Sequence, residues 1–338
     1  MNATSASGGV LVFAEQNGGV VHPVAFELLG KGRQLADRLS AELSAVLLGH
    51  GVREGAVELV QYGADVVYVF DRPSLAEFDV VQYSRNLVRL AEETKPSVFL
   101  FGATRLGRSL APRVAVALRT GLTADCVDLD LDGEGNLVQV RPAFSGNIMA
   151  QIKTRTRPQM ATVRYKVMKA NAKDPGRKGK VVVKDADVQD DTGLRVLERS
   201  KADEANLAEA EVIVTGGRGL KDPEDFGLLN ELARVLGGVV GSSRPLVDAG
   251  WIGRDRQVGF SGRTVKPRVY VAVGVSGSPQ HLFGMRDSDT IIAINKDASA
   301  PIFGVADYGV VGDLYEFVPL LIRELRSLKE RRTRREVR

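Results

Sequence analysis

Cysteine occurs once in these 338 residues, at Cys126. A single thiol excludes an intramolecular disulfide and a cysteine-built metal site, and it fits a reducing compartment. The three histidines, His22, His50 and His281, are too scattered for an HExxH or comparable metal spacing. No apolar run approaches the roughly 20 residues of a membrane helix. The opening MNATSASGGVLVFAEQ has no basic n-region, long apolar core or Arg-rich amphipathic pattern, so no targeting segment is expected and the location is read as cytoplasmic. There is no G-x-S-x-G elbow of a serine hydrolase, and no carboxylate pair stands out as acid and base.

The net charge is +4. The tail KERRTRREVR (329–338), with six basic and two acidic residues, supplies the whole excess. The rest is neutral, and aromatics are only 6% of the chain, so nucleic-acid binding is not expected. The tail, with 331–338 at its end, reads either as a solvated helix end or as an arm for an acidic partner.

At 44% hydrophobic and 26% charged residues the composition is that of an ordered globular chain, and 338 residues allow about two domains. GVLVFAE (9–15), SAVLLGH (44–50), DVVYVFD (65–71) and SVFLFGAT (97–104) are short apolar strand signals separated by helical patterns, FDVVQYSRNLVRLAEET (78–94) the clearest. They imply βαβ units and a parallel, Rossmann-like sheet. NLVQVRPAF (136–144), NIMAQIKT (147–154) and QMATVRYKV (159–167) follow without helices and predict antiparallel additions. Residues 169–207 turn charged and read as a connector with one strand, KVVVKDADV, inside it. The boundary is set near 205, giving an N-terminal α/β domain over 1–205 and a doubly wound parallel-sheet domain over 206–330.

Chemistry concentrates in the second domain. AEVIVTGGRGLKD (210–222) delivers Gly-Gly-Arg-Gly from a strand to a helix start, where free backbone N–H groups and Arg218 can meet an anion. It has neither the phosphate-loop spacing nor a full G-x-G-x-x-G, and taken singly it is also consistent with a plain tight turn. VYVAVGVSGSPQHLFGM (269–285) repeats the logic and places Gln280 and His281 in a first helical turn. There the backbone dipole disfavours imidazolium, and a neutral or partly protonated ring can donate a hydrogen bond. The stretch 241–270 is glycine-punctuated and carries Arg244, Arg254, Arg256, Arg263 and the only tryptophan, Trp251. It reads as a binding edge or a solvated loop.

The ordered set GGRGLKDPEDF, GSSRPLVDAGW, QVGFSGRTVKP, VAVGVSGSPQHLFGM, AINKD, PIF and ADYGVVGDL resembles the alpha subunit of the electron-transfer flavoproteins. The likeness is dense over 210–320 and looser over the first domain, where TGLTADC and RPAFSGNIMA carry it. It implies a heterodimer with a beta subunit, contacted by the N-terminal domain, and FAD held mainly by the second domain. Electrons would pass one at a time through an anionic semiquinone, from flavoprotein dehydrogenases to a quinone reductase or ferredoxin-type acceptor. Docking to a membrane-associated acceptor stays open, and the chain is an electron carrier rather than a self-contained enzyme.

On this resemblance Arg218 and Ser243 serve the phosphate and nucleotide portion. Arg244 lies near the isoalloxazine ring, in a partly dry site. Val258, Gly259, Phe260 and Ser261 form the next contact, with the Ser261 hydroxyl at flavin N5. Ser276, Gly277, Ser278, Pro279, Gln280 and His281 wrap the ring and its tail, His281 near the pyrimidine oxygen. Asn295, Asp313 and Leu314 complete the adenosine side. Phe260-Ser261 stands where many relatives have Gln-Thr, and Pro279 replaces a common aliphatic residue. One alternative is a subunit of a flavin-based electron-bifurcating complex that uses NADH and a second FAD in the beta subunit. Two others are a non-redox nucleotide-binding sensor or scaffold and a self-contained NAD-dependent dehydrogenase; missing G-x-G-x-x-G spacing argues against the last.

Overall fold

A computed structural model describes residues 8–143, 148–189, 192–194 and 207–336, with side chains to 331. The chain divides into two compact units, 1–196 and 197–338. The expected boundary near 205 lies outside the described residues.

The first unit begins with β1 (Val10–Ala14), a small hairpin of β2 (Gln16–Asn17) and β3 (Val20–Val21), and α1 (Pro23–Leu39). It continues through β4 (Leu43–Gly49), α2 (Arg53–Gln61), β5 (Val66–Asp71), α3 (Val80–Thr94), β6 (Val98–Gly102), α4 (Arg105–Ala117) and β7 (Leu122–Cys126). Then come β8 (Asp128–Leu131), β9 (Leu137–Ala143), β10 (Ile148–Lys153), β11 (Gln159–Val163) and β12 (Lys180–Val183). Seven strands form one parallel sheet in the order β12-β5-β4-β1-β6-β11-β7. The continuous apolar runs arise because the central strands are covered on both faces. In β1, Val10, Val12 and Ala14 pack with α1 and α2, while Leu11 and Phe13 pack with α3 and α4.

Two expectations change here. Of the three segments predicted as antiparallel additions, β9 and β10 join β8 in a separate antiparallel sheet, but β11 is a parallel strand buried along its whole length between β6 and β7. The absence of a helix before β11 hid its parallel sense: the β8–β10 sheet itself makes the crossover. The charged stretch from 169 is also built onto this unit as far as 189. Asn171 Nδ2 donates to Tyr62 O at 3.0 Å, β12 pairs with β5, and Asp187 N donates to Asn86 Oδ1 on α3 at 2.8 Å. Its charge reflects a strap with one side in water, and Arg85–Asp187 and Lys173–Glu58 ion pairs fasten it.

The second unit runs β13 (Val212–Gly216), α5 (Phe226–Leu236), β14 (Val239–Ser242), α6 (Arg244–Asp248), β15 (Val269–Val273), α7 (Pro279–Phe283), β16 (Ile291–Asn295), β17 (Tyr308–Val311) and α8 (Leu314–Glu336). Its sheet is wholly parallel, in the order β14-β13-β15-β16-β17. Val214, Val271 and Val273 face a core made with α5 and α8, and Ile213, Tyr270 and Ala272 face the other side with Val258, Val265 and Met285. Helix α8 carries the expected basic tail, extending through 331–336.

The strand order reverses direction between β13 and β15. Chains leaving these neighbours diverge to opposite sides and open a crevice at their carboxyl ends, where ligands of open α/β sheets bind. Here the two departing loops touch through bare backbone. Gly219 N donates to Gly274 O at 2.9 Å, and a Cβ on Gly217 would lie 2.4 Å from that oxygen. Tyr315, at the start of α8, braces the same loop, its hydroxyl accepting from Lys221 N at 2.8 Å and bonding Asp225 Oδ2. Among the described residues no helix is long and apolar enough to cross a membrane.

Gly217→Ala is expected to destabilise this unit by about 1–3 kcal/mol, because backbone on both sides blocks relief of the overlap. Gly227→Ala, on α5 with nothing within 4 Å of the new methyl, is expected to stabilise it by about 0.5–1 kcal/mol. Urea unfolding of the two variants, read against the parent, checks the opposite signs.

Candidate functional site

At this switch point lies a cleft of about 370 Å³. The loop after β13 contributes Arg218, and the turn into α6 contributes Ser243, Arg244, Pro245 and Asp248. The irregular stretch before β15 adds Gln257, Val258, Gly259, Phe260 and Ser261, while Val275, Ser276, Gly277, Ser278, Gln280 and His281 come from the loop after β15 and from α7. A larger, more open depression between α5 and α8, about 500 Å³, is lined by Leu228, Glu231, Arg323 and Arg326 among others. It lies away from the carboxyl edge of the sheet, and none of the glycine loops reaches it.

Twelve of the sixteen residues expected at the site therefore share one cleft. The other four do not line it. Pro279 occupies the first position of α7 and is exposed. Asn295, Asp313 and Leu314 sit at the ends of β16 and β17, on the same carboxyl edge. Asn295 already donates to Val275 O at 2.9 Å and accepts from Asp297 N, and Asp313 Oδ1 accepts from Tyr315 N. Leu314 is buried in the α5–α8 core, under Gly274. Trp251 also packs into that core rather than the cleft, and neither Arg254, Arg256 nor Arg263 lines the cleft.

The cleft's polar groups are of two kinds. On its rim, Arg218 is exposed, and Arg244 holds Asp248 at 3.1 Å, four residues on, with 65% of its side chain in water. In this chain by itself the attraction Arg244 exerts is thus screened, unlike the partly dry setting expected for it. Ser243 and Ser278 are the cap residues immediately before two short helices, yet neither hydroxyl takes the usual capping bond. Deeper in, Gln257 is buried and its Nε2 donates to Ser261 Oγ at 2.9 Å. Held as an acceptor in this way, Ser261 keeps its own proton to donate elsewhere. Sequence reasoning missed Gln257; four residues before Ser261 and within QVGFS, it looked like an ordinary loop amide.

His281 is buried, 6% exposed, and its Nε2 lies 3.0 Å from the Tyr270 hydroxyl. Its Nδ1 is shut off from water, and the Val258 backbone hydrogen-bonds the ring. Burial pulls the ring's pKa down from 6.5 to about 4, the Val258 backbone beside it offsetting part of the fall. Burial therefore favours the neutral imidazole near pH 7, the first of the two states that the sequence reading allows. The remaining histidines are in the first unit, where His22 caps α1 by accepting from Val24 N. Among the described residues no group of acidic, histidine or cysteine side chains could hold a metal ion.

Comparison with known families matches residues 10–189 to the electron transfer flavoprotein domain and 206–286 to the electron transfer flavoprotein FAD-binding domain. The chain is 52% identical to the electron transfer flavoprotein subunit alpha of Thermoanaerobacterium thermosaccharolyticum, over 95% of this chain and 98% of that one. It belongs to the electron transfer flavoprotein alpha-subunit family. The Megasphaera elsdenii subunit alpha is 47% identical, covering 95% of this chain and 97% of its own. The protein named lactate dehydrogenase (NAD(+),ferredoxin) subunit LctC of Acetobacterium woodii is 46% identical over 93% of this chain and 76% of its own.

FAD is the cofactor of this electron transfer flavoprotein subunit, and a beta subunit is its partner. The cleft's chemistry is compatible with a flavin nucleotide. It combines two arginines, hydroxyls free of capping bonds, close backbone with no side chain to obstruct it, and a buried imidazole. Gly259, at φ 140°, keeps the wall thin where a Cβ would stand 3.0 Å from Gln280 O.

His281 gives this site a pH signature. Between pH 6.5 and about 4 the unfolded chain takes up a proton that the folded ring refuses, so stability falls on acidification through that window. The full loss is about 3 kcal/mol. Urea titrations of the flavin-free protein at pH 7, 5.5 and 4.5 are expected to show this slope in the parent and a shallower one in His281→Gln. Equal slopes would remove His281 as its source.

Proposed function

We propose that the cleft at the β13/β15 switch point holds the FAD, and that the heterodimer carries electrons in the cytoplasm from a flavoprotein dehydrogenase to a quinone reductase or a ferredoxin-type acceptor. The single observation that carries this reading is the gathering of Arg218, Ser243, Arg244, Ser261 and the buried His281 in one cleft at the switch point of the sheet. When bound, FAD supplies the redox chemistry, accepting and releasing electrons singly or in pairs.

The chain's own residues bind, orient and bias that group. Arg218 and Ser243 serve its phosphate and nucleotide portion, with Arg218 and the backbone of the adjacent glycine loop meeting the phosphate charge. Arg244 adds positive potential beside the ring system, and Ser261, oriented by Gln257, offers a hydroxyl proton to a ring acceptor. His281, being neutral, contributes a directed dipole rather than a charge. Gly259, Gly277 and Val258 let the ring approach backbone closely, and Phe260 lies against Phe283 at the cleft's edge, ring centroids 5.2 Å apart. Asn295, Asp313 and Leu314 act on the adenosine side by shaping the carboxyl edge of the sheet, the Asn295 amide being taken up by Val275 O and Asp297 N and Leu314 by the core.

The likeness to the Acetobacterium woodii subunit supports a second reading, an electron-bifurcating complex that uses NADH with a further FAD on the beta subunit. Flavin counted per purified heterodimer separates the two: two FAD support bifurcation, and one supports the plain carrier. For the site itself, Arg244→Ala and Ser261→Ala are each expected to fold and to weaken FAD binding by roughly tenfold or less, the worth of one hydrogen bond or screened charge. Fluorescence titration of the flavin-free heterodimer measures this. Parental affinity in both variants, with unchanged reductive titrations, would remove the flavin from this cleft.

A further inference from the structure

Behind His281 a file of buried polar groups runs into the sheet. Tyr270 is the second residue of β15 and fully buried, and its hydroxyl lies 3.0 Å from His281 Nε2. Thr215, on the neighbouring strand β13 and on the same face of the sheet, is also fully buried, and its hydroxyl lies beside the phenol. The file thus ends inside the sheet at the Thr215 hydroxyl and, at its other end, at the His281 ring that lines the cleft beside the Val258 backbone.

We propose that Tyr270 is a positioning residue that fixes the tautomer of His281, its hydroxyl donating to Nε2 so that Nδ1 keeps the proton and points a donor into the cleft. As a statement about FAD this rests on the cleft being the flavin site; as a statement about the ring it does not.

Burial holds the imidazole neutral and pushes the phenol's pKa up, so both groups keep a single titratable proton each and the ring must choose one tautomer. The direction follows from donor and acceptor capacity. A phenol is a good donor and a poor acceptor, whereas the bare nitrogen of a neutral imidazole is a good acceptor. The count of protons agrees. With Tyr270 donating to Nε2, the Thr215 hydroxyl can donate to the phenol oxygen, and the one N–H left over faces the cleft, where a ligand can meet it. In the reverse direction Nε2–H donates to the phenol, the phenol donates to Thr215, and the Thr215 proton is stranded in the core. A stranded buried donor is the costlier arrangement.

The test uses the heterodimer with flavin removed and this chain labelled with ¹⁵N-histidine. Nitrogen NMR tells a protonated ring nitrogen from a bare one, and His281→Gln assigns the signals. The parent is expected to show protonated Nδ1 and bare Nε2, and Tyr270→Phe to move proton onto Nε2. FAD affinity is then expected to fall by up to roughly tenfold in Tyr270→Phe, with no further loss when Tyr270→Phe is added to His281→Gln. A bare Nδ1 in the parent, or an unchanged tautomer in Tyr270→Phe, overturns the proposal. Parental signals that ignore added FAD overturn the flavin placement and the cleft-facing role, while the tautomer remains measured. The parental spectrum needs no variant to fold.

Discussion

The site depends on two glycine loops meeting backbone to backbone. Where β13 and β15 end, Gly217 and Gly219 lie against Gly274, with Gly217 N also bound to Val273 O at 3.0 Å. No side chain fits in that contact. The strands diverge from it on either side, so the crossing is the floor of the crevice, and the position of each wall follows from it. Arg218 leaves from one loop and Ser276 to His281 from the other. Shifting the floor would displace both walls at once, which is why small residues there matter more than the charged groups they present.

Electrostatics in this cleft is layered. The arginines stand in water at the rim, where they can steer an anion but are screened. The groups below are neutral: a hydroxyl held by Gln257 and an imidazole held by Tyr270. A neutral, fixed dipole costs little to bury and does not reorganise when charge develops nearby, which is the economical way for a protein to bias a group that changes charge.

Much of this was legible in the sequence, for identifiable reasons. Parallel strands buried on both faces leave unbroken apolar runs, so β1, β4, β5 and β6 could be read directly, and the glycine loops announce themselves because close backbone approach admits no other residue. Twelve expected residues share the cleft because the ordered motifs are short and lie on consecutive loops of one sheet edge. What was not legible depended on distant partners. β11 looked antiparallel because its neighbours in sequence are not its neighbours in the sheet. The strap at 169–189 looked like a free connector because its charges find their partners about a hundred residues earlier, as Arg85–Asp187 does. Tyr270 looked like one more apolar strand residue, and only its contact with His281 shows a polar use.

Tyr315 brings a consequence for how the protein is made. The loop that carries Arg218 is fastened by a hydroxyl 94 residues further along the chain, and Leu314 packs beneath Gly274. The floor is therefore incomplete until the first turn of α8 has been synthesised and has docked, which is nearly the end of the chain. A ribosome-bound fragment that stops before residue 314 carries most of the cleft's residues in sequence and still lacks the brace that holds them in place.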